Sequence, residues 1–149
     1  MAAASGLDDV QTLIDRGGHR AVVSAVRADG SVQSSVVVAG VVAHPVTGER
    51  VVAFTTPGTS VKLRLLRARP QATIVFQPDY HWASVGGRVD LVGHDDPREG
   101  VDTERLRLLL REVFTAAGGS HDDWDAYDRA MAADRRTAVL IRPDRVFAM

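Results

Sequence analysis

From His19 onward the chain takes on a period of two, and nothing else in it restricts the fold as much. Ala21, Val23 and Ala25 alternate with Arg20, Val22, Ser24 and Val26, the pattern of a strand with one buried face. Ala28-Asp29-Gly30-Ser31 reads as a hairpin turn in which glycine supplies the positive φ. A β-rich return strand runs from Val32 to about Ala43, Pro45 to Glu49 turns the chain again, and Arg50 to Thr56 is a third strand. The first half is therefore an antiparallel meander.

Helical signals flank this core. Leu7, Val10 and Ile14 share a helical face, with Ser5 and Asp8 at capping positions and Gly17-Gly18 as the stop. Pro57-Gly58-Thr59 breaks the third strand, and a short helix follows with Val61, Leu65 and Ala68 on one side and Lys62, Arg64, Arg67 and Arg69 around the rest; Pro70 ends it. Gln71 to Phe76 is a strand, and Tyr80 to Val92 a longer one interrupted by Gly86-Gly87, a bulge or a close-approach site. Leu106, Leu109, Leu110, Val113 and Ala117 fit the helical template up to Gly118-Gly119. A second helix near Asp122 to Ala133 carries Trp124, Tyr127 and Met131 on one face, and Thr137–Ile141 and Arg145–Phe147 are short final strands. Residues 1–149 read as one α+β domain: about six antiparallel strands with short flanking helices, best closed as a small barrel.

Composition narrows the chemistry. Eighteen basic residues against 19 acidic give a net charge of −1, without the basic excess of a nucleic-acid or anionic-membrane binder. With no cysteine, disulfides, thiolate metal sites and cysteine nucleophiles are excluded. The N-terminal stretch lacks the features of a signal peptide and no apolar run reaches a membrane span, so a cytoplasmic protein is expected. Phosphate-loop, dinucleotide-fold, zinc-protease and nucleophile-elbow motifs are all absent. The five histidines (His19, His44, His81, His94 and His121) read as surface or turn residues, and Asp122, Asp123 and Asp125 as the first turn of a helix; no metal ligands are assigned. The informative segment is Thr55-Thr56-Pro57-Gly58-Thr59-Ser60-Val61-Lys62, which sets four hydroxyls, a glycine and the chain's single lysine between a strand end and a helix start. Free N–H groups and a positive helix end beside a point charge suit a phosphate; an ordinary capped strand–helix loop uses the same residues.

The order of Arg27-Ala28-Asp29-Gly30-Ser31-Val32-Gln33-Ser34-Ser35-Val36, then Thr55-Thr56, Ser60-Val61-Lys62, Leu66-Arg67-Ala68-Arg69-Pro70 and Tyr80-His81-Trp82-Ala83-Ser84-Val85-Gly86-Gly87-Arg88 resembles the pyridoxamine 5'-phosphate oxidase-like split-barrel superfamily. Within it, the chain is most similar to the small actinobacterial proteins that use coenzyme F420. The resemblance implies a homodimeric six-stranded split barrel binding a deazaflavin, with FMN as the alternative cofactor, and acting as a reductase that passes a hydride to an unsaturated or carbonyl-like small molecule. A non-catalytic F420-binding or storage protein is the other alternative. It implies that Lys62 meets the cofactor phosphate beside Thr56 and Ser60, that Gln33, Ser34 and Ser35 line the ring, and that Thr55, Thr59, Val61 and Leu66 also belong to the cofactor site. Tyr80, His81 and Trp82 would come from the second subunit. Two departures stand out: Val32 and Val36 replace frequent prolines, and Ser60 replaces a frequently basic residue. No catalytic residue is assigned, and neither nucleic acid nor membrane is an expected partner.

Overall fold

The glycine and proline signals divide the chain into four helices and eight strands, seen in a computed structural model that describes residues 6–149. In chain order these are α1 (Leu7–Asp15), β1 (Arg20–Val26), β2 (Val32–Val38), β3 (Gly40–Ala43), β4 (Arg50–Thr56), α2 (Val61–Ala68), β5 (Gln71–Phe76), β6 (Ala83–Gly93), α3 (Thr103–Ala116), α4 (Trp124–Ala133), β7 (Thr137–Ile141) and β8 (Arg145–Ala148). No helix among the described residues is long and apolar enough to cross a membrane.

The strands form one antiparallel sheet in the order β2-β1-β5-β6-β7-β4-β3, with β8 paired to β6. The expected count of six strands is corrected to eight. The return strand expected from Val32 to Ala43 is split at Ala39, whose N–H leaves the ladder to donate to the His19 carbonyl at 2.9 Å. Before the break β2 pairs with β1, and after it β3 pairs with β4. The hydrogen-bonded ring is not closed: β2 and β3 are the two edges of the sheet, and the covalent corner at Ala39 joins them.

Strand β6 changes partners halfway. Ala83–Gly86 pairs with β8, whereas Val89–Gly93 pairs with β7. The β7–β8 connection crosses β6 at the switch, and a Cβ built on Gly87 would lie 2.1 Å from the Arg142 carbonyl oxygen. Close approach, rather than a bulge, is what Gly87 provides, and the approaching group is the chain's own backbone.

Two apolar layers enclose the sheet. Val10 and Ile14 of α1 and Leu66 of α2 pack with Phe54, Ile74, Phe76 and Ile141 on the inner face. On the other face, Leu106, Leu109, Leu110 and Val113 of α3 cover Val51, Ala53, Ala138 and Leu140. Strand β7 is buried along its whole length because both layers meet on it. Each fully buried side chain of this size contributes about 1.5–3 kcal/mol.

Local phases differ from the sequence expectation at two helices. The N-cap of α1 is Gly6, whose N–H donates to the Asp9 carboxylate at 3.0 Å; Asp8 instead pairs with Arg50 at 2.9 Å, and Ser5 lies outside the described residues. In α2, Ser60 is the N-cap, and its hydroxyl accepts from the Leu63 N–H at 3.1 Å. That cap turns Leu63 and Leu66 into the core and leaves Val61 and Ala68 exposed, reversing the expected face.

A polar cluster sits within the sheet. His44 stands at a turn, as expected, but is buried rather than on the surface. Its Nδ1 accepts from the N–H groups of Val46 at 3.1 Å and Thr47 at 3.3 Å, so Nε2 carries the hydrogen and donates to Asp90 at 2.9 Å. Asp90 also accepts from Arg142 at 2.9 Å and lies 3.4 Å from Arg98. Burial alone would raise the Asp90 carboxyl; hydrogen bonds from Arg142 and His44 and the charges of Arg98 and Arg142 outweigh it and hold the group below the ordinary aspartate value.

Candidate functional site

The pleat decides which side chains of the edge strands can meet a ligand. On β1, Ala21, Val23 and Ala25 face the core and Arg20, Val22, Ser24 and Val26 face out. On β2 the outward set is Val32, Ser34, Val36 and Val38, with Val38 opposite Arg20. Where this outer surface meets the end of β4 and the α3–α4 hairpin, a pocket of about 500 Å³ opens. Its strand and turn side is made by Arg20, Val36–Val38, Thr55–Pro57 and Lys62. Its helical side is made by Val113, Phe114, Ala117, Tyr127, Met131 and Arg136. The lining contains three cations and no carboxylate.

Each cation is placed by a different element. Lys62 is the second residue of α2, where it and Val61 have backbone N–H groups with no acceptor inside the helix. Lys62 makes no ion pair among the described residues. Arg20 opens β1. Arg136 follows α4, whose last turn closes in a Schellman arrangement: the Arg136 N–H donates to the Met131 carbonyl at 3.0 Å and the Arg135 N–H to Ala132 at 3.1 Å. Arg135 takes the left-handed conformation (φ 51°) that this ending requires. Because Thr137 pairs with Thr56, Arg136 stands across from Pro57 at the pocket edge. The Gly58 N–H, donating to the Asp134 carbonyl at 3.0 Å, ties the two turns together.

Aromatic side chains pack behind the helical wall. Phe114 and Tyr127 pack with ring centroids 4.9 Å apart, Trp124 stands edge-on to Tyr127 at 5.3 Å, and the Arg111 guanidinium covers Trp124 at 5.2 Å. The Tyr127 hydroxyl donates to the Leu110 carbonyl at 2.9 Å, and burial pushes its phenol up to about 12.

The residues singled out in the sequence fall into three groups. Thr55, Thr56 and Lys62 come together in the pocket. Around them, the Thr56 hydroxyl donates to Ser60 at 2.8 Å, Ser60 caps α2, Thr59 and Val61 are exposed on the turn, and Leu66 is fully buried in the core. The second group is split by the pleat. Ser34 faces out and shares a 2.8 Å hydrogen bond with Ser24, whereas Gln33 and Ser35 face the core side, their Oε1 and Oγ buried without a hydrogen-bond partner. Strand β2 reaches the pocket through Val36–Val38 instead. The third group lies outside the lining: Tyr80 is almost fully exposed, His81 bonds to Asp79 at 2.8 Å, and Trp82 stacks on Phe147 at 5.1 Å. Arg20, Phe114, Tyr127 and Arg136 were not singled out for the site. Arg136 joins the pocket through a strand register that no local pattern displays.

No family model matches the chain. Solved structures do. A pyridoxamine 5'-phosphate oxidase-related, FMN-binding protein of Nostoc punctiforme superposes with a TM-score of 0.68 at 15% identity, over 99% of this chain and 86% of that one. The chain shares that protein's fold. A conserved hypothetical protein of Mycobacterium tuberculosis superposes on this chain with a TM-score of 0.68 at 16% identity, over 97% of this chain and 84% of that one. An F420 reductase does so with a TM-score of 0.60 at 19% identity, over 92% and 94%. At these identities the fold is what the proteins share.

Proposed function

We propose that this chain is a homodimeric oxidoreductase that binds coenzyme F420 in the pocket between β2, the β4–α2 turn and the α3–α4 hairpin. The observation that carries the reading is the lining itself: Arg20, Lys62 and Arg136, with no carboxylate among the lining residues. Such a lining fits an organic anion with a phosphate and an apolar ring. Bound there in its reduced form, the deazaflavin supplies a hydride to an unsaturated or carbonyl-like acceptor. Lys62 and the free amides at the start of α2 hold the phosphate, while Val36, Val38, Phe114 and Met131 shield the ring from water. The Tyr127 hydroxyl is engaged by the Leu110 carbonyl, and no residue is assigned as the acceptor's proton donor.

Titration of the protein with F420 and with FMN, each followed by its own fluorescence, tests the reading. F420 binding is the expected result; binding of FMN alone would make the protein an FMN-dependent oxidoreductase of the same fold. Bound, reduced F420 that stays unoxidised with every acceptor offered would leave a binding or storage protein. Lys62→Ala should weaken F420 binding by about 1.5–3 kcal/mol, the scale of a charge-assisted hydrogen bond, and make the remaining affinity less sensitive to salt.

The dimer rests on the outer face of β1 and β2, where Val22, Val26, Val32, Val36 and Val38 are 38% to 63% exposed. A second copy of the chain covering these valines would bring its Tyr80–Trp82 segment over the cofactor. Light scattering should give twice the 16.0 kDa chain mass. Val32→Asp, on the same face but outside the pocket lining, should return the single-chain mass. A wild-type protein that is monomeric at micromolar concentration would sink this part of the proposal.

A further inference from the structure

We infer that a pit between α3 and α4 is a binding site for a small apolar group, and that Met131 is the partition between it and the cofactor pocket. The pit holds about 120 Å³. Its apolar lining comes from Leu110 of α3 and from Met131 and Ala132 of α4. Arg107 and Asp128 line it as well, but their charged ends are committed to each other at 3.0 Å, and Asp128 is also held by Arg111 at 2.9 Å. The Leu110 carbonyl is taken by the Tyr127 hydroxyl. Exposed His94 and Thr103, from the β6–α3 connection and the start of α3, complete the lining.

Water gains little in such a space, because it needs several polar partners and the Arg107–Asp128 pair and the Leu110 carbonyl are already satisfied. Apolar cavities of about 150 Å³ stay dry and take benzene or xenon, so this pit suits one six-membered ring or a short alkyl group and nothing larger. Met131 lines both the pit and the cofactor pocket. Its unbranched thioether swings more freely than a branched side chain, so a single mobile group separates about 120 Å³ from about 500 Å³. The identity of the ligand rests on the proposed function: it is the apolar end of the acceptor whose reducible group lies over the cofactor. The pit as a site does not depend on which cofactor binds.

Benzene tests the pit without any cofactor. The chain has three methionines, so methyl-labelled protein gives a simple spectrum in which Met131 is followed by itself. Benzene should move the Met131 methyl signal and leave that of the exposed C-terminal Met149 in place. Ala132→Leu extends a side chain into the pit from an exposed helix position that does not line the cofactor pocket. It should weaken benzene binding about tenfold or more, because the added carbons take up the space, and keep the wild-type melting temperature in the absence of ligand. With reduced F420 bound, the same variant should raise KM for benzylideneacetone about tenfold and leave KM for methyl vinyl ketone unchanged, since only the first carries a ring to place in the pit. Benzene that leaves the Met131 methyl unmoved, or that binds Ala132→Leu as well as the wild type, overturns the pit as a site; F420 binding alongside that result leaves the cofactor reading standing. If benzene occupies the pit but neither F420 nor FMN binds, the site stands and the cofactor reading falls, taking the acceptor with it. Equal changes in KM for the two ketones, or none, overturn the acceptor as the occupant.

Discussion

Asp90→Ala should lower the stability of the fold by about 3–5 kcal/mol, the cost of removing one partner from a buried charged network. The carboxylate is the common acceptor of His44, Arg142 and Arg98, and its removal leaves the buried His44 Nε2–H without a partner and two guanidinium groups facing each other. Asp90→Asn keeps an acceptor for His44 and loses the charge, so it should cost about half as much. The pH dependence has a defined sign. A carboxyl held below its ordinary value stabilises the native state above the unfolded aspartate pKa of about 3.9 and loses that contribution as pH falls through the lowered native value. The wild type should therefore lose stability more steeply below about pH 4 than Asp90→Asn does. Urea denaturation across pH measures both effects, and a loss under about 1 kcal/mol for Asp90→Ala would show that the network is dispensable.

Gly40→Val should cost about 3 kcal/mol, the upper end of ordinary overpacking. Strand β3 begins beneath the last turn of α3, and a Cβ on Gly40 would stand 2.1 Å from the Ala116 carbonyl oxygen and 2.9 Å from its Cβ. The obstacle is backbone, so no rotamer change relieves it. The helix end must lift, and Val113, Phe114 and Ala117, which belong to that end, form part of the pocket wall. The variant is expected to bind F420 more weakly even at temperatures where it is folded. Thermal unfolding and cofactor titration of the same sample separate the two losses; wild-type stability would mean that α3 tolerates the shift.

Strands β1 and β5 and helices α3 and α4 were legible because each carries its own period and its own stop. The corner at Ala39 was not. The run from Val32 to Ala43 is apolar enough to read as one strand, and only Gly40, needed for close packing against α3, marks the division. The phase of α2 was missed because Ser60, not the proline-glycine turn before it, sets where the first helical turn begins. In the pocket, the Thr55–Lys62 segment was legible since its hydroxyls, glycine and cation are contiguous. Gln33, Ser34 and Ser35 read as a unit, but the pleat sends the middle residue to the opposite face from its neighbours. Arg20 and Arg136 look like two more arginines in an arginine-rich chain until strand pairing brings them to the same opening.

The position of β7 sets the order in which the molecule can be assembled on a ribosome. This strand lies between β6 and β4, yet it comes after almost all the residues it joins. As synthesis proceeds, β1, β2, β5 and β6 can pair into one ribbon and β3 with β4 into another, each left with an unfilled edge where β7 belongs. Neither edge can be paired as in the finished sheet until residues 137–141 are available to enter the gap. Folding yield should therefore respond to slow translation and to chaperone supply more than the stability of the finished domain would suggest.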